Sequence, residues 1–80
     1  MAIGLININK IEENFGVVTY HYHTDDSGVG IVTMDRGTGD FKILQIAEGE
    51  HGYCLPKRVY WALLKHWREG ALPDKTFWAS

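Results

Sequence analysis

Residues 29 to 47, VGIVTMDRGTGDFKILQIA, decide how this chain folds. Two apolar runs, Val29 to Asp35 and Phe41 to Ala47, flank the short polar cluster Arg36-Gly37-Thr38-Gly39. Glycine accepts the positive φ that a tight reversal needs, and so short a connection joins neighbouring antiparallel strands. The stretch therefore reads as a hairpin, the third and fourth strands of a sheet.

Working upstream, Phe15 to His23 alternates, with Val18, Tyr20 and Tyr22 in one phase and Val17, Thr19, His21 and His23 in the other. That period of two is a strand. The cluster Asp25-Asp26-Ser27-Gly28 turns it into the hairpin. Residues 3 to 11, from Ile3 to Ile11, are Ile-rich and roughly alternating, which predicts a first strand broken by Glu12-Glu13-Asn14. Downstream, the polar run Glu48 to Gly52 ends the sheet.

The period then changes to that of a helix. Pro56 suits a first helical turn, and Gly70 followed by Pro73 suits a stop, so a helix is expected over about residues 56 to 69. At 100° per residue, Val59, Tyr60, Leu63, Leu64 and Trp67 share an arc of about 140°, the width of a core-facing stripe. Lys57, Arg58, Trp61, Lys65 and Arg68 share another, about 100° wide. Beyond Pro73, residues 76 to 79 form an apolar tail with Phe77 and Trp78. The expected fold class is α+β in a single domain: a four-stranded antiparallel β-meander with one C-terminal amphipathic helix packed on it. A small SH3-like barrel capped by the helix is the alternative arrangement.

Four strands make a sheet roughly 15 to 19 Å across, whereas one helix with its side chains is about 10 to 12 Å wide. Apolar residues nevertheless occupy both phases, as in Leu5 against Ile6, Ile31 against Val32, and Ile43 against Leu44. That surplus predicts β-bulges, curling, or a second covering layer from the tail, a second copy of the chain or another partner.

The chain has 80 residues, 8 Lys and Arg against 10 Asp and Glu, and a formal net charge of −2. Its charge is unevenly spread. Residues 1 to 54 hold 3 basic and 8 acidic groups, net −5, and residues 55 to 80 hold 5 basic and 2 acidic groups, net +3. The lone Cys54 closes no intrachain disulfide, the first basic residue is Lys10, and the apolar runs are short. A signal peptide and a membrane span are therefore not expected, and a reducing cytoplasm is the expected compartment.

Chemistry-bearing residues are sparse. His21 and His23 point to one face of a strand, and His51 with Cys54 supplies two more nitrogen or sulfur donors, but no close ligand box forms. No metal or other cofactor is expected. Cys54 with His51 lacks further catalytic company, and Asp25-Asp26 and Asp35/Asp40 sit at turns where carboxylates serve the backbone. Gly28-Val29-Gly30 and Gly37-Thr38-Gly39 each precede a strand, whereas a phosphate loop precedes a helix. No enzyme is expected. The reading that remains is a small cytosolic binding protein, an adaptor, inhibitor or immunity-like factor, that engages a protein partner or a second copy of itself. Trp61, Lys57, Arg58, Lys65, Arg68, Trp78 and Tyr53 are the candidate contact residues, with acidic Asp25, Asp26, Glu48 and Glu50 able to steer a basic partner. The alternative is a nucleic-acid-binding module on the basic helix face.

Overall fold

A computed structural model describes residues 5–25, 27–49 and 55–79. Along the chain run β1 (Leu5–Asn14), β2 (Val17–His23), β3 (Gly30–Asp35), β4 (Phe41–Gln45), α1 (Leu55–Arg68) and β5 (Lys75–Ala79). All five strands join one antiparallel sheet in the order β4-β3-β2-β1-β5. The meander and the helix on it are as the alternation and the 3.6-residue period require. Among the described residues the sheet stays open, with β4 and β5 as its edges, rather than closing into the alternative barrel.

Two corrections concern the ends of the sheet. The apolar tail is a fifth strand, paired with β1 from Leu5↔Ala79 to Asn9↔Lys75. The chain also does not break at Glu12-Glu13-Asn14: β1 runs on to Asn14, and the turn is Phe15-Gly16. The extension works through a bulge, since Lys10 pairs with Tyr20 and Glu12 with Thr19, leaving Ile11 as the extra residue. A second bulge at Leu44 separates the pairs Val32↔Ile43 and Ile31↔Gln45. Bulges shift the phase of a strand by one residue, yet much of the second apolar phase stays exposed, with Leu5, Ile11, Ile43 and Leu44 all about half exposed or more. The expected start at Ile3, and Asp26, lie outside the described residues.

One face of the sheet carries the core. Ile6 and Ile8 from β1, Val18, Tyr20 and Tyr22 from β2, and Val32 and Met34 from β3 are buried beneath Val59, Ala62 and Leu63 of α1. Tyr60 and Trp67 flank this contact, half-buried: Tyr60 packs its ring 4.8 Å from that of Phe41, and Trp67 donates its Nε1–H to the Arg36 carbonyl at 2.9 Å. The other face has no covering layer among the described residues. Along it the cross-strand rows are Phe77–Asn7–His23 and Lys75–Asn9–His21–Ile31.

The helix ends where Gly70 permits it. With φ at +83°, Gly70 donates to the Trp67 carbonyl and Ala71 to the His66 carbonyl, the paired bonds of a left-handed C-terminal cap. Lys65, His66 and Arg68 occupy the last turn, where positive charge meets the exposed carbonyl end of the helix dipole. The chain then reverses into β5. The reversal is held by the Tyr20 hydroxyl on the Pro73 carbonyl at 2.6 Å and by Lys10 Nζ on the Asp74 carboxylate at 2.7 Å.

Candidate functional site

The capped helix and the fifth strand between them place two tryptophans side by side. Trp61 points outward from α1 among cations, and Trp78, opposite Ile6 in the β1–β5 register, turns toward the helix. Their ring centroids lie 5.9 Å apart with planes at 49°, within the range of favourable tilted aromatic pairs. The tail therefore supplies the contact that Trp61 needs, yet Trp61 remains 46% exposed. Lys57 Nζ stands over the Trp61 ring, 5.2 Å from its centre, a cation–π distance.

Two grooves meet at this pair. The larger, about 630 Å³, is lined by Trp61, Leu64, Lys65, Arg68, Glu69 and Trp78. The smaller, about 350 Å³, has Thr76 to Ala79 of β5 on one wall and Trp61, Lys65 and His66 of α1 on the other. Across it His66 Nε2 and Thr76 Oγ1 share a hydrogen bond at 2.9 Å, fixing the distance between helix and strand. Phe77, 61% exposed, stands at the outer rim on the open face. The indole Nε1 of Trp78 is buried with no hydrogen-bond partner among the described residues. Leaving such a donor unpaired costs on the order of 1–3 kcal/mol.

The electrostatics of the site are one-sided. Lys57, Lys65 and Arg68 are exposed, and among the described residues none has a carboxylate within ion-pair distance. Among the described residues, Glu69 is the one acidic side chain lining either groove. The ion pairs that do form lie elsewhere. Arg36 holds Glu13 through two bonds of 2.8 and 2.9 Å and keeps its carboxyl below the usual carboxylate range. The Lys10 bond does the same for Asp74.

Of the residues singled out from the sequence, Trp61, Lys65, Arg68 and Trp78 share the larger groove, and Lys57 sits over Trp61. Arg58 is half-buried on α1 and lines neither groove. Tyr53 lies outside the described residues, as do His51, Cys54, Asp26 and Glu50. The expected basic stripe missed Phe77, Thr76 and His66. The signal for them was the alternation in Lys75-Thr76-Phe77-Trp78-Ala79 after the Pro73-Asp74 turn, which places Thr76 and Trp78 on the helix side.

His21 and His23 face the open side with ring centroids 6.3 Å apart, and among the described residues no three His, Cys, Asp or Glu side chains converge as metal ligands. Asp35 Oδ1 accepts the backbone N–H of Gly37 and Thr38 at 2.7 and 3.0 Å, closing the β3–β4 turn; these bonds hold its pKa down. Gly30 lies under the Tyr22 ring and Gly39, at φ +78°, under Trp67. Among the described residues no helix is long and apolar enough to cross a membrane. No family model, curated protein or solved structure gives a significant match to this chain.

Proposed function

We propose that this chain is a non-enzymatic, cytoplasmic binding protein that acts by occupying a protein partner through the surface between α1 and β5. The observation that carries this reading is the exposed Trp61, paired with Trp78 at 5.9 Å and flanked by Lys57, Lys65 and Arg68, which have no carboxylate partner among the described residues. Tryptophan and arginine are among the residue types that dominate binding energy at protein interfaces. The larger groove offers an apolar anchor position, and the cations give direction to the encounter. An adaptor, an inhibitor and an immunity-like factor all use such a surface.

Capture from the native lysate tests the reading, with wild-type chain, Trp61→Ala, and Leu44→Asp at the distant β4 edge as control. A protein retained by wild type and Leu44→Asp, lost with Trp61→Ala, and indifferent to nuclease supports it. Retention that disappears on nuclease treatment, or that ignores Trp61→Ala, contradicts it.

The basic stripe also supports a second reading, nucleic-acid binding through Lys57, Trp61, Lys65 and Arg68. Phosphate contacts release counterions, so binding of short DNA or RNA would fall steeply with salt, and Lys65→Ala or Arg68→Ala would each lessen that slope. No binding at about 50 mM salt, where such contacts are strong, excludes it.

A further inference from the structure

The smaller groove is unusual in that one of its walls is the edge of a β-sheet. β5 is the last strand of the sheet, and among the described residues nothing pairs with its outer side. Which backbone groups face outward follows from one bond. Lys10 N–H donates to the Asp74 carbonyl at 2.7 Å, and in antiparallel pairs hydrogen-bonded and non-hydrogen-bonded positions alternate. Counting along the register from that pair, Thr76 and Trp78 direct their N–H and C=O to β1, while Lys75, Phe77 and Ala79 direct theirs outward. An ordered row of donors and acceptors therefore runs along the β5 wall of the groove, opposite the wall that α1 supplies.

Resting on the protein-binding reading above, we infer that β5 accepts an extended acidic peptide segment as a sixth strand, laid between its free edge and α1. A strand added there exchanges backbone hydrogen bonds with Phe77 and with Lys75 or Ala79. Its side chains alternate between faces. Those on the helix side meet Trp61, Trp78 and Lys65; those on the open side meet Phe77. The occupant thus carries an apolar or aromatic residue for the tryptophan pair and carboxylates for Lys57, Lys65 and Arg68.

Three observations favour this occupant. The spacing of outward N–H and C=O groups matches a peptide backbone, whereas a phosphodiester chain offers acceptors but no donors at that repeat. The cations of the wall are unpaired among the described residues, which selects an acidic segment. The free edge of β5 has neither proline nor bulge, while the other edge, β4, is bulged at Leu44, a device that spoils an edge as a template.

The test selects a displayed library of random twelve-residue peptides on the full chain and synthesises the enriched sequences, each also N-methylated at alternate residues in either phase. The expected result is enrichment in Asp and Glu alternating with apolar residues. Binding should weaken at least tenfold, as expected on losing an interface anchor, with both Trp61→Ala and the fold-preserving surface change Lys65→Glu. The amides of Phe77 and Ala79 should gain exchange protection while those of Thr76 and Trp78, bonded to β1, change little. One phase of N-methylation should abolish binding. If both N-methylated forms bind as the parent does, and Trp61 and Lys65 still matter, strand addition is overturned while the protein-binding surface stands. If nothing is enriched, or only an added single-stranded oligonucleotide binds, both are overturned. If Phe77 is protected without peptide in a concentration-dependent way, a second copy occupies the edge and the acidic-peptide inference fails.

Discussion

The Tyr20 hydroxyl reaches 53 positions along the chain to donate to the Pro73 carbonyl at 2.6 Å. Tyr20 comes from the centre of the sheet and Pro73 from the turn that launches β5, so this bond ties the β5 edge to the core. Tyr20→Phe removes it and strands a carbonyl, so a loss of about 1–2 kcal/mol is expected in urea unfolding. Faster amide exchange at the start of β5 should accompany it.

Burial pushes the Tyr20 hydroxyl up to about 12 and raises Tyr22 in the same direction. The native state thus keeps these protons at a pH where the unfolded chain has lost them. The stabilisation is complete below pH 10, the ordinary tyrosine value, and is lost as pH rises through 10 to about 12. The urea midpoint should fall over that window, and less steeply in Tyr20→Phe. A flat profile in the wild type would contradict the assignment.

Gly30 is required by its neighbour rather than by its backbone. A Cβ there would sit 2.1 Å from Tyr22 Cζ, and Tyr22 is anchored by accepting the Ala47 N–H at 3.3 Å. Gly30→Ala must displace a fully buried ring, and overpacking of this kind costs about 1–3 kcal/mol. Thermal unfolding should show a drop of several degrees or more, and Gly30→Ala with Tyr22→Leu should recover part of it.

Phe15 is fully exposed at the tip of the β1–β2 hairpin with φ at +52°, followed by Gly16 at +79°. Two successive positive φ values make the tight turn that suits right-twisted strands, and Asn-Gly is its preferred sequence. Phe15→Asn relieves the side chain's clash with its own backbone and removes no packing, so a gain of about 0.5–1 kcal/mol is expected. A loss of stability would show that the phenyl ring has a contact the fold does not account for.

On the acid side the network Asp74–Lys10–Glu13–Arg36 sets the response. Glu13 and Asp74 titrate below their ordinary values because each accepts from a cation. Their contribution is present above the ordinary carboxylate range and is lost as pH falls through the lowered values. Both are solvent-exposed, so added salt should weaken the effect, and Glu13→Gln should flatten the acid limb of the stability profile.

Most of the architecture was visible in the residues because binary pattern and turn chemistry agreed. Val18, Tyr20 and Tyr22 alternate and are buried, and Gly70 stops the helix with the φ that glycine favours. Three features escaped for physical reasons. The Ile11 bulge changes phase inside β1, so Glu12 to Asn14 looked like a break. The Phe15-Gly16 turn uses a residue that propensity places in a strand. β5 is a five-residue run whose pairing is to β1, some seventy positions earlier, and nothing local distinguishes such a strand from an apolar plug. The site was half visible: the stripe of Trp61 and its cations followed from helical period, but the groove exists only once the tail becomes an edge strand.

Site-specific photo-cross-linking tests the central claim, that the surface between α1 and β5 receives a protein, most directly. A benzophenone side chain is placed in turn at positions 61, 77 and 44 and irradiated in the native cell. Adducts to a polypeptide at positions 61 and 77, with none at position 44, are the predicted result. Adducts to nucleic acid at position 61, or polypeptide adducts only at position 44, would contradict the account.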